Sequence, residues 1–303
     1  MKVGIPRALH FYFYEKLWTN FFKNLDIETV VSPLSNKEIV RKGIAYSIDE
    51  GCYSSKIFIG HVEYLLDKCD LIFVPRIENF GPKEEYCTRL FGIYDLVKNT
   101  FPTAKLLNAN VNYSLRKKEL DAFIEIGATL GKNPEETMRA YNDALQKFNE
   151  EKLRAIKNQE ELLQNDNVKV LIVSHAYNTY DLAIGDSVVK FFKENNIDVI
   201  FADLIDSKTA KAKAKTAYNR MYWKVNTELL GGLETYKESV DGIVLITTFP
   251  CGPDSLINEL IIRTTKDKPV LSLMIDEQDA NAGLMTRLES FTDIITANKR
   301  RGE

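Results

Sequence analysis

Short apolar runs rich in β-branched residues alternate along the chain with longer segments whose apolar residues recur every three or four positions. The short runs predict strands, and the longer segments predict amphipathic helices. Eight short runs are present, four on each side of a long polar stretch: KVGIP, ETVVSP, DLIFVPRI, KLLNANV, VKVLIVSH, DVIFADL, GIVLITTFP and PVLSLMID. Strands that alternate with helices form parallel sheets, so the pattern predicts an α/β protein.

The polar stretch between the two sets of runs divides the chain. Asn133 and Pro134 have the composition of a helix start, and an amphipathic pattern follows them. We therefore predict an N-terminal α/β domain at 1–130, a linking helical segment at 131–166 and a C-terminal α/β domain at 167–303. Each domain is predicted to be Rossmann-like (flavodoxin-like), with four parallel strands flanked by helices.

One segment of the second half is rich in lysine. The stretch AKAKAKTAYNRMYWKVNTELLGG has few strand formers and ends in Gly231 and Gly232. It predicts a single helix that ends at the glycines, ahead of the strand GIVLITTFP. Its lysines fit either a solvated helix face or a phosphate-binding patch.

Charge narrows the classes of partner. The 303 residues include 40 Lys and Arg against 43 Asp and Glu, which gives a formal net charge of −3. A balance of this kind does not favour nucleic acid or an anionic membrane as a partner. No apolar run approaches the ~20 residues that span a bilayer, and the first residues lack the features of a signal peptide. These features predict a cytoplasmic protein.

Several nucleotide and catalytic motifs are absent from the sequence. It contains no GxxxxGK[ST] phosphate loop, no GxGxxG after a strand, no HExxH and no GxSxG. ATP hydrolysis or hydride transfer by these routes is therefore not predicted.

Four cysteines are too few for a secreted disulfide scaffold. Cys52 precedes a predicted helix, whereas Cys87 and Cys251 follow the strands DLIFVPRI and GIVLITTFP. Ligands bind at the carboxyl ends of parallel strands, so three thiols could meet at that edge and hold an iron–sulfur cluster with one open iron. Cys69 lies at the end of an apolar helical stretch with no Gly or Pro beside it, which predicts a structural role.

Spacing alone leaves other roles open for these cysteines. Their separations match no short metal motif such as CxxC, and scattered cysteines are often part of a core. Cys52, Cys87 and Cys251 would also suit a tetrahedral zinc site with His61 as a fourth ligand. A scaffold or partner subunit without its own redox chemistry is a third alternative.

Two histidines are candidate catalytic residues. His61 shares a predicted helix with Cys52, where it would donate to a cluster sulfide, act as a proton donor near pH 7 or pack the helix. His175 opens the polar segment HAYNTYD after a strand, which would line a substrate pocket or supply helix caps. The segment from Asp276 to Asp279 comes after the last strand and could present N–H groups to an anion.

The sequence resembles a known family in several longer motifs. They are GIPRALHFYFYEKLWTNFF, CYSSKIFIGHVEYL, FVPRIENF, YCTRLFGIYDLV, HAYNTYD, FPCGPDS and LSLMIDEQDANAGLMTRLESFTDII. Together they resemble the 2-hydroxyacyl-CoA dehydratase and benzoyl-CoA reductase subunit family, and most closely its acyl-CoA dehydratase activase-related branch. The likeness spans nearly the whole chain.

The resemblance implies a cofactor and partners. Cys52, Cys87 and Cys251 fall on the motifs that hold a [4Fe-4S] cluster in that family, or half of a double-cubane [8Fe-9S] cluster. It also implies an ATP-dependent activator as electron donor, a homodimer or a heterodimer with a related subunit, and low-potential reduction or dehydration of a substrate such as an acyl-CoA. The chain departs from the family at Ser54, Ser55 and Thr88, near which relatives often carry proline.

Overall fold

The computed structural model describes residues 1–218, 221–277 and 281–302, and the chain divides into two compact units. Unit 1 is Met1–Glu151 and unit 2 is Lys152–Glu303. The dividing point lies inside one long helix, within the stretch 131–166 that the sequence assigns to a linking segment.

Unit 1 alternates short strands with helices. In chain order its elements are β1 (Lys2–Ile5), α1 (Phe11–Asn24), β2 (Glu28–Val31), α2 (Lys37–Ala45), α3 (Tyr53–Leu65), β3 (Leu71–Phe73), β4 (Arg76–Asn79), α4 (Thr88–Phe91), α5 (Ile93–Thr100), β5 (Leu106–Leu107), β6 (Asn110–Asn112), α6 (Glu119–Thr129) and the first part of α7 (Pro134–Leu162). A short 3-10 helix occupies Tyr113–Leu115.

The main sheet of unit 1 is parallel and has four strands in the order β2-β1-β3-β5. Val3 of β1 is paired with Thr29 on one side and with Leu71 on the other. Strands β4 and β6 form a separate two-stranded parallel sheet. From β1 the chain first crosses to β2 on one side and later returns to β3 on the other side. The strand order therefore reverses between β1 and β3.

Unit 2 repeats this plan. It contains the rest of α7, then β7 (Lys169–Val173), α8 (Ala176–Thr179), α9 (Asp186–Glu194), β8 (Asp198–Phe201), α10 (Ser207–Ala217), α11 (Lys224–Tyr236), β9 (Gly242–Thr248), α12 (Gly252–Thr264), β10 (Val270–Ile275) and α13 (Asn281–Gly302). A 3-10 helix occupies Lys237–Ser239. The parallel sheet has the order β10-β9-β7-β8.

The predicted fold class is confirmed. Each unit is a Rossmann-like domain with a four-stranded parallel sheet flanked by helices. Counted from the first strand of each unit, both sheets follow the order 2-1-3-4, so the reversal in unit 2 lies between β7 and β9. Loops after these two neighbouring strands are the expected location of a ligand.

Helix α1 shows how sequence pattern becomes packing. Its apolar residues recur at helical spacing, and the buried ones are Phe11, Tyr14, Leu17, Trp18, Phe21 and Phe22. Trp18 meets the ring of Phe73 on β3 edge to face, with ring centroids 4.9 Å apart. The helix ends before Asp26, whose φ of 54° is left-handed. Burying a side chain of this size stabilises a fold by about 1.5–3 kcal/mol.

Helix α7 begins as the sequence predicts. The Asn133 side chain accepts a hydrogen bond from the Glu136 backbone N–H at 2.8 Å, and Pro134 is the first helical residue. Such a side-chain cap satisfies one of the N–H groups that a helix start leaves without a partner in the helix.

Two predicted strands are broken in the structure. DLIFVPRI contains β3 and the start of β4, and KLLNANV contains β5 and the start of β6. Pro75 has no N–H to give to the ladder, which resumes where the Arg76 N–H donates to the Ala109 carbonyl at 2.8 Å. The second, two-stranded sheet results from this break.

The prediction of one lysine-rich helix is wrong. The segment contains two helices, α10 and α11, and Asn219 and Arg220 between them lie outside the described residues. Gly231 and Gly232 lie inside α11 rather than at its end. A Cβ on Gly231 would stand 2.1 Å from the Ala210 carbonyl oxygen, so these glycines permit close packing and do not stop the helix.

Candidate functional site

Three of the four cysteines share one backbone position. Cys52, Cys87 and Cys251 are the N-cap residues of α3, α4 and α12, with φ of −64°, −66° and −101° and ψ of 145°, 152° and 107°. All three are half-buried. In none of these described helices does the cysteine sulfur make a capping hydrogen bond with the first turn.

Cys52 and Cys87 belong to neighbouring turns of unit 1. Arg89, two residues after Cys87, donates from Nη2 to the carbonyl of Glu50, two residues before Cys52, at 3.2 Å. The loop before Cys87 folds back along β4, because the Tyr86 N–H donates to the Glu78 carbonyl at 2.9 Å. The structure therefore ties together the two cysteine-bearing turns of this unit.

Cys251 lies in unit 2, three residues beyond the end of β9. The Phe249–Pro250 peptide before it is cis, and Gly252 and Pro253 open α12 after it. A Cβ on Gly252 would meet nothing within 4 Å. The backbone around Cys251 is therefore uncrowded on the helix side.

All four cysteines are described, and none forms a disulfide. Among residues 1–218, 221–277 and 281–302, no group of three or more His, Cys, Asp or Glu side chains is arranged to hold a metal ion. Cys52 and Cys87 lie in one unit and Cys251 in the other.

Cys69 has a different environment. Its Sγ donates to the Leu65 carbonyl at 3.3 Å, and a Cβ on Gly4 of β1 would stand 2.5 Å from that sulfur. Burial raises the pKa of the Cys69 thiol. These contacts agree with the structural role predicted for this residue, because a thiol with a raised pKa is a poor ligand and nucleophile.

His61 is fully buried in unit 1 between two serines. Its Nδ1 lies 2.9 Å from Ser32 Oγ, and its Nε2 lies 2.9 Å from Ser35 Oγ. Burial, helped by the nearby charge of Arg7, lowers the pKa of His61 to about 3. Both ring nitrogens are engaged and the ring is neutral at pH 7, which favours the helix-packing alternative over a proton donor or a fourth zinc ligand.

His175 is buried in unit 2 against a carboxylate. Its Nε2 lies 2.8 Å from Asp254 Oδ1, which also accepts from Asn226 Nδ2 at 3.1 Å. Asp254 Oδ2 accepts from Thr247 Oγ1 at 3.1 Å. Burial would raise the pKa of Asp254, but the charge of His175 and these hydrogen bonds outweigh it and hold that pKa below its usual value.

The loops after three strands of unit 2 meet around this pair. His175 follows β7, Thr247 and Asp254 lie at and after the end of β9, and Asp203 follows β8. Burial raises the pKa of Asp203 to about 6, and Asp203 lies within electrostatic range of both His175 and Lys152. Burial lowers the pKa of Lys152. This edge of the sheet therefore carries titratable groups with altered proton affinity, as binding and catalytic sites often do.

The segment after His175 contacts the ring and forms a turn. Tyr177 stacks on the His175 ring with centroids 4.7 Å apart. Asp181 Oδ1 accepts from the Ala183 N–H at 2.8 Å, which is a turn contact and not a helix cap, because the next helix, α9, begins at Asp186 with Gly185 as its N-cap. The predicted anion loop at Asp276–Asp279 falls partly on residues 278–280, outside the described residues.

The sequence identifies His175 but not its partner Asp254, nor Asn226 and Thr247, which donate to Asp254. Asp254, Asn226 and Thr247 lie 79, 51 and 72 positions from His175, and no local motif links such distances. The one signal for Asp254 in the sequence is its position in the first turn of the helix after β9.

Comparison with known proteins gives a family. A model of the CoA enzyme activase uncharacterised domain (DUF2229) matches residues 2–205, about two thirds of the chain. The chain belongs to this family. The match agrees with the activase-related branch of the predicted resemblance and does not single out the dehydratase subunits. The matched residues of the CoA enzyme activase domain include Cys52, Cys87 and His175 but end before Cys251.

Other comparisons add little to this membership of the activase domain family. No curated protein matches the chain. The solved structure of the SBP FpvC from Pseudomonas aeruginosa in complex with Mn²⁺ is 12% identical, with coverage of 98% of this chain and 97% of that one and a TM-score of 0.29. At that TM-score the likeness supports no argument about this chain. None of the described helices is long and apolar enough to cross a membrane.

Proposed function

We propose that the protein is an iron–sulfur redox protein in which Cys52, Cys87 and Cys251 hold a [4Fe-4S] cluster. One observation carries the proposal, namely the shared N-cap position of the three cysteines. The fourth cysteine, Cys69, does not share it. Membership of the CoA enzyme activase domain family gives the proposal its biochemical setting.

The donor set fits such a cluster. Iron–sulfur clusters are held by thiolates, and each of the three cysteines would supply one from the residue that precedes a helix. The three cysteines are half-buried rather than sealed in the core. Three thiolates would leave one iron open to a substrate or a bridging sulfide.

The bound cluster would supply low-potential electrons for a difficult reduction or dehydration. We propose that an ATP-dependent activator protein donates these electrons. A homodimer, or a heterodimer with a related subunit, would allow two such sites to form a double-cubane [8Fe-9S] cluster. We propose an acyl-CoA as the substrate class, which is compatible with a family description that names a CoA enzyme. The reducing cytoplasm suits a protein whose four cysteines are all thiols.

The test is metal content under anaerobic purification. Iron, acid-labile sulfide and the visible spectrum are measured for the unmodified chain and for Cys52→Ala, Cys87→Ala and Cys251→Ala. We expect about four irons per chain in the unmodified protein and a large loss in each variant. Cys69→Ala is the matched control, because it also removes a thiol and is expected to keep the iron.

Three results would contradict the proposal. Zinc in place of iron would indicate a structural metal site. No metal after anaerobic reconstitution would favour a scaffold role. Iron that survives in Cys251→Ala would show that the two cysteines of unit 1 find other ligands, and it would remove unit 2 from the site.

A further inference from the structure

The hydrogen bonds of Asp254 fix the tautomer of His175. The carboxylate accepts from Asn226 and Thr247, and an ionised carboxylate can only accept, so the His175 Nε2 that faces it carries a hydrogen. In the neutral ring, Nδ1 is then the nitrogen with a lone pair.

This second nitrogen has no partner. Nδ1 of His175 is buried and makes no hydrogen bond within the described part of the chain, although the whole residue is only 4% exposed. A buried polar atom without a partner costs free energy, and native structures keep few of them. His61 shows the ordinary structural alternative in the same molecule, because both of its nitrogens bond serines.

The location of His175 suggests a use for this nitrogen. The ring lies at the carboxyl end of β7, beside the end of β9, where the strand order of unit 2 reverses. Ligands bind at such junctions in open α/β sheets. A histidine whose far nitrogen is fixed by a carboxylate and whose near nitrogen lacks a partner has the arrangement of a general base with its positioning residue.

We propose that His175 is a proton-transfer residue of unit 2, that its Nδ1 exchanges a proton with a ligand carrying an O–H, N–H or S–H group, and that Asp254 positions it. In the forward step the bond from hydrogen to the ligand atom breaks, its electron pair stays on that atom, and a new N–H bond forms at Nδ1. The imidazolium then faces the Asp254 carboxylate. No oxidant or reductant takes part, so the proposal goes beyond the cluster chemistry and does not depend on it.

Other charged and polar groups face the pair from neighbouring elements. Asp203 approaches from the end of β8, and Tyr177 of α8 stacks on the ring. Lys152 of α7 lies within electrostatic range of Asp203. The nearby carboxylates of Asp203 and Asp254 suit a ring that takes up a proton.

The first test is nuclear magnetic resonance of labelled histidine in the full chain. The chain has three histidines, so His10→Gln, His61→Gln and His175→Gln assign every ring. We expect His175 to keep its proton on Nε2 and to gain one on Nδ1 reversibly as the pH is lowered between about 9 and 5. Asp254→Asn, which keeps the shape and removes the charge, should move that uptake to lower pH by about one unit or more. Asp206→Asn is the charge-matched control and should leave it unchanged.

The second test asks whether a small molecule reaches Nδ1. Diethyl pyrocarbonate acylates unprotonated imidazole nitrogen, and peptide mapping locates the modified ring. We expect acylation of His175 in the folded chain, its loss in the His175→Gln variant, and no acylation of His61. The same measurements on Cys251→Ala separate this proposal from the cluster, since both results should persist there.

Three outcomes would overturn the proposal. If the neutral His175 ring carries its proton on Nδ1 in the unmodified chain, Nδ1 has no lone pair with which to accept a proton. A ring that takes up no proton over this pH range is structural. A ring that resists acylation as fully as His61 is sealed from ligands.

Discussion

The two units place a histidine at a similar depth and give it opposite surroundings. In unit 1, His61 lies between the hydroxyls of Ser32 and Ser35, and its pKa falls to about 3. In unit 2, His175 contacts the ionised carboxylate of Asp254. Burial is nearly the same in both, so the rings differ in their partners, which are two neutral hydroxyls for His61 and one carboxylate for His175.

The units agree more closely in how their helices approach the backbone. A Cβ on Gly60 of α3 would stand 2.0 Å from the Ile39 carbonyl oxygen of α2, and a Cβ on Gly232 of α11 would stand 1.9 Å from the Ala202 carbonyl oxygen. Both distances are far below van der Waals contact. The shared packing and the contrasting histidines can be tested separately.

The largest effect is expected at the hydrogen-bonded pair of His175 and Asp254 in unit 2. Asp254→Ala leaves the buried donors of His175, Asn226 and Thr247 without an acceptor. We expect the free energy of unfolding of unit 2 to fall by about 3–5 kcal/mol. The measurement is urea unfolding, with hydrogen exchange of unit 2 peptides as the readout. Asp293→Ala removes an exposed carboxylate from α13 and should change it by less than about 0.5 kcal/mol. Equal losses in the two variants would contradict this ranking.

The next effect concerns the close helix contacts. Gly60→Ala and Gly232→Ala should each lower the free energy of unfolding by about 3 kcal/mol, because a backbone carbonyl cannot move away as a flexible side chain can. Gly283→Ala in α13 is the matched control, since its Cβ would meet nothing within 4 Å. It should raise stability by up to about 1 kcal/mol. A loss at Gly60 without one at Gly232 would show that the units differ here too.

The pH dependence of stability should reveal His61. Its pKa falls from 6.5 in the unfolded chain to about 3 in the folded protein, so its contribution is complete above pH 6.5 and is lost as the pH falls towards 3. Between pH 8 and pH 5 the loss is about 2 kcal/mol. His61→Gln should remove that part of the decline, as measured by urea unfolding at both pH values. An identical decline in the variant would place the acid sensitivity elsewhere.

The smallest effect is expected at the neutral partners of His61. Ser35→Ala removes one hydroxyl from a ring that carries no charge, and it leaves a buried nitrogen unpaired. We expect a loss of about 1–2 kcal/mol at pH 8 by urea unfolding. A loss as large as that of Asp254→Ala would remove the contrast between the two histidines.

The strands and the fold class can be predicted from local sequence, and most of the candidate site cannot. Alternation of β-branched runs with helical patterns locates every main strand, because that pattern reflects burial within a few residues. Pro75 is visible inside DLIFVPRI, although the run as a whole predicts one continuous strand. Gly231 and Gly232 resemble a helix end in the sequence. Their real role cannot be predicted from it, because the carbonyl groups that they pack against come from distant parts of the chain.

The histidine partners show the same limit. Ser32 and Ser35 precede His61 by 29 and 26 residues, and serine is too common for its presence to indicate a bond. Asp254 is visible within FPCGPDS, yet only the pairing of β7 with β9 brings it to His175. The helical pattern after Cys52 predicts a helix start there, whereas no local pattern predicts the tie between the turns of Cys52 and Cys87.

The contact between Cys69 and Gly4 has a practical consequence. The sulfur occupies the space that a side chain on β1 would fill, and burial makes its thiol reluctant to ionise. An alkylating reagent should therefore react with the half-buried Cys69 more slowly than with an exposed thiol, and faster once its contact with β1 opens. In a chain whose other three cysteines are replaced, the alkylation rate of this thiol, followed by mass spectrometry, should report the opening of that contact in unit 1.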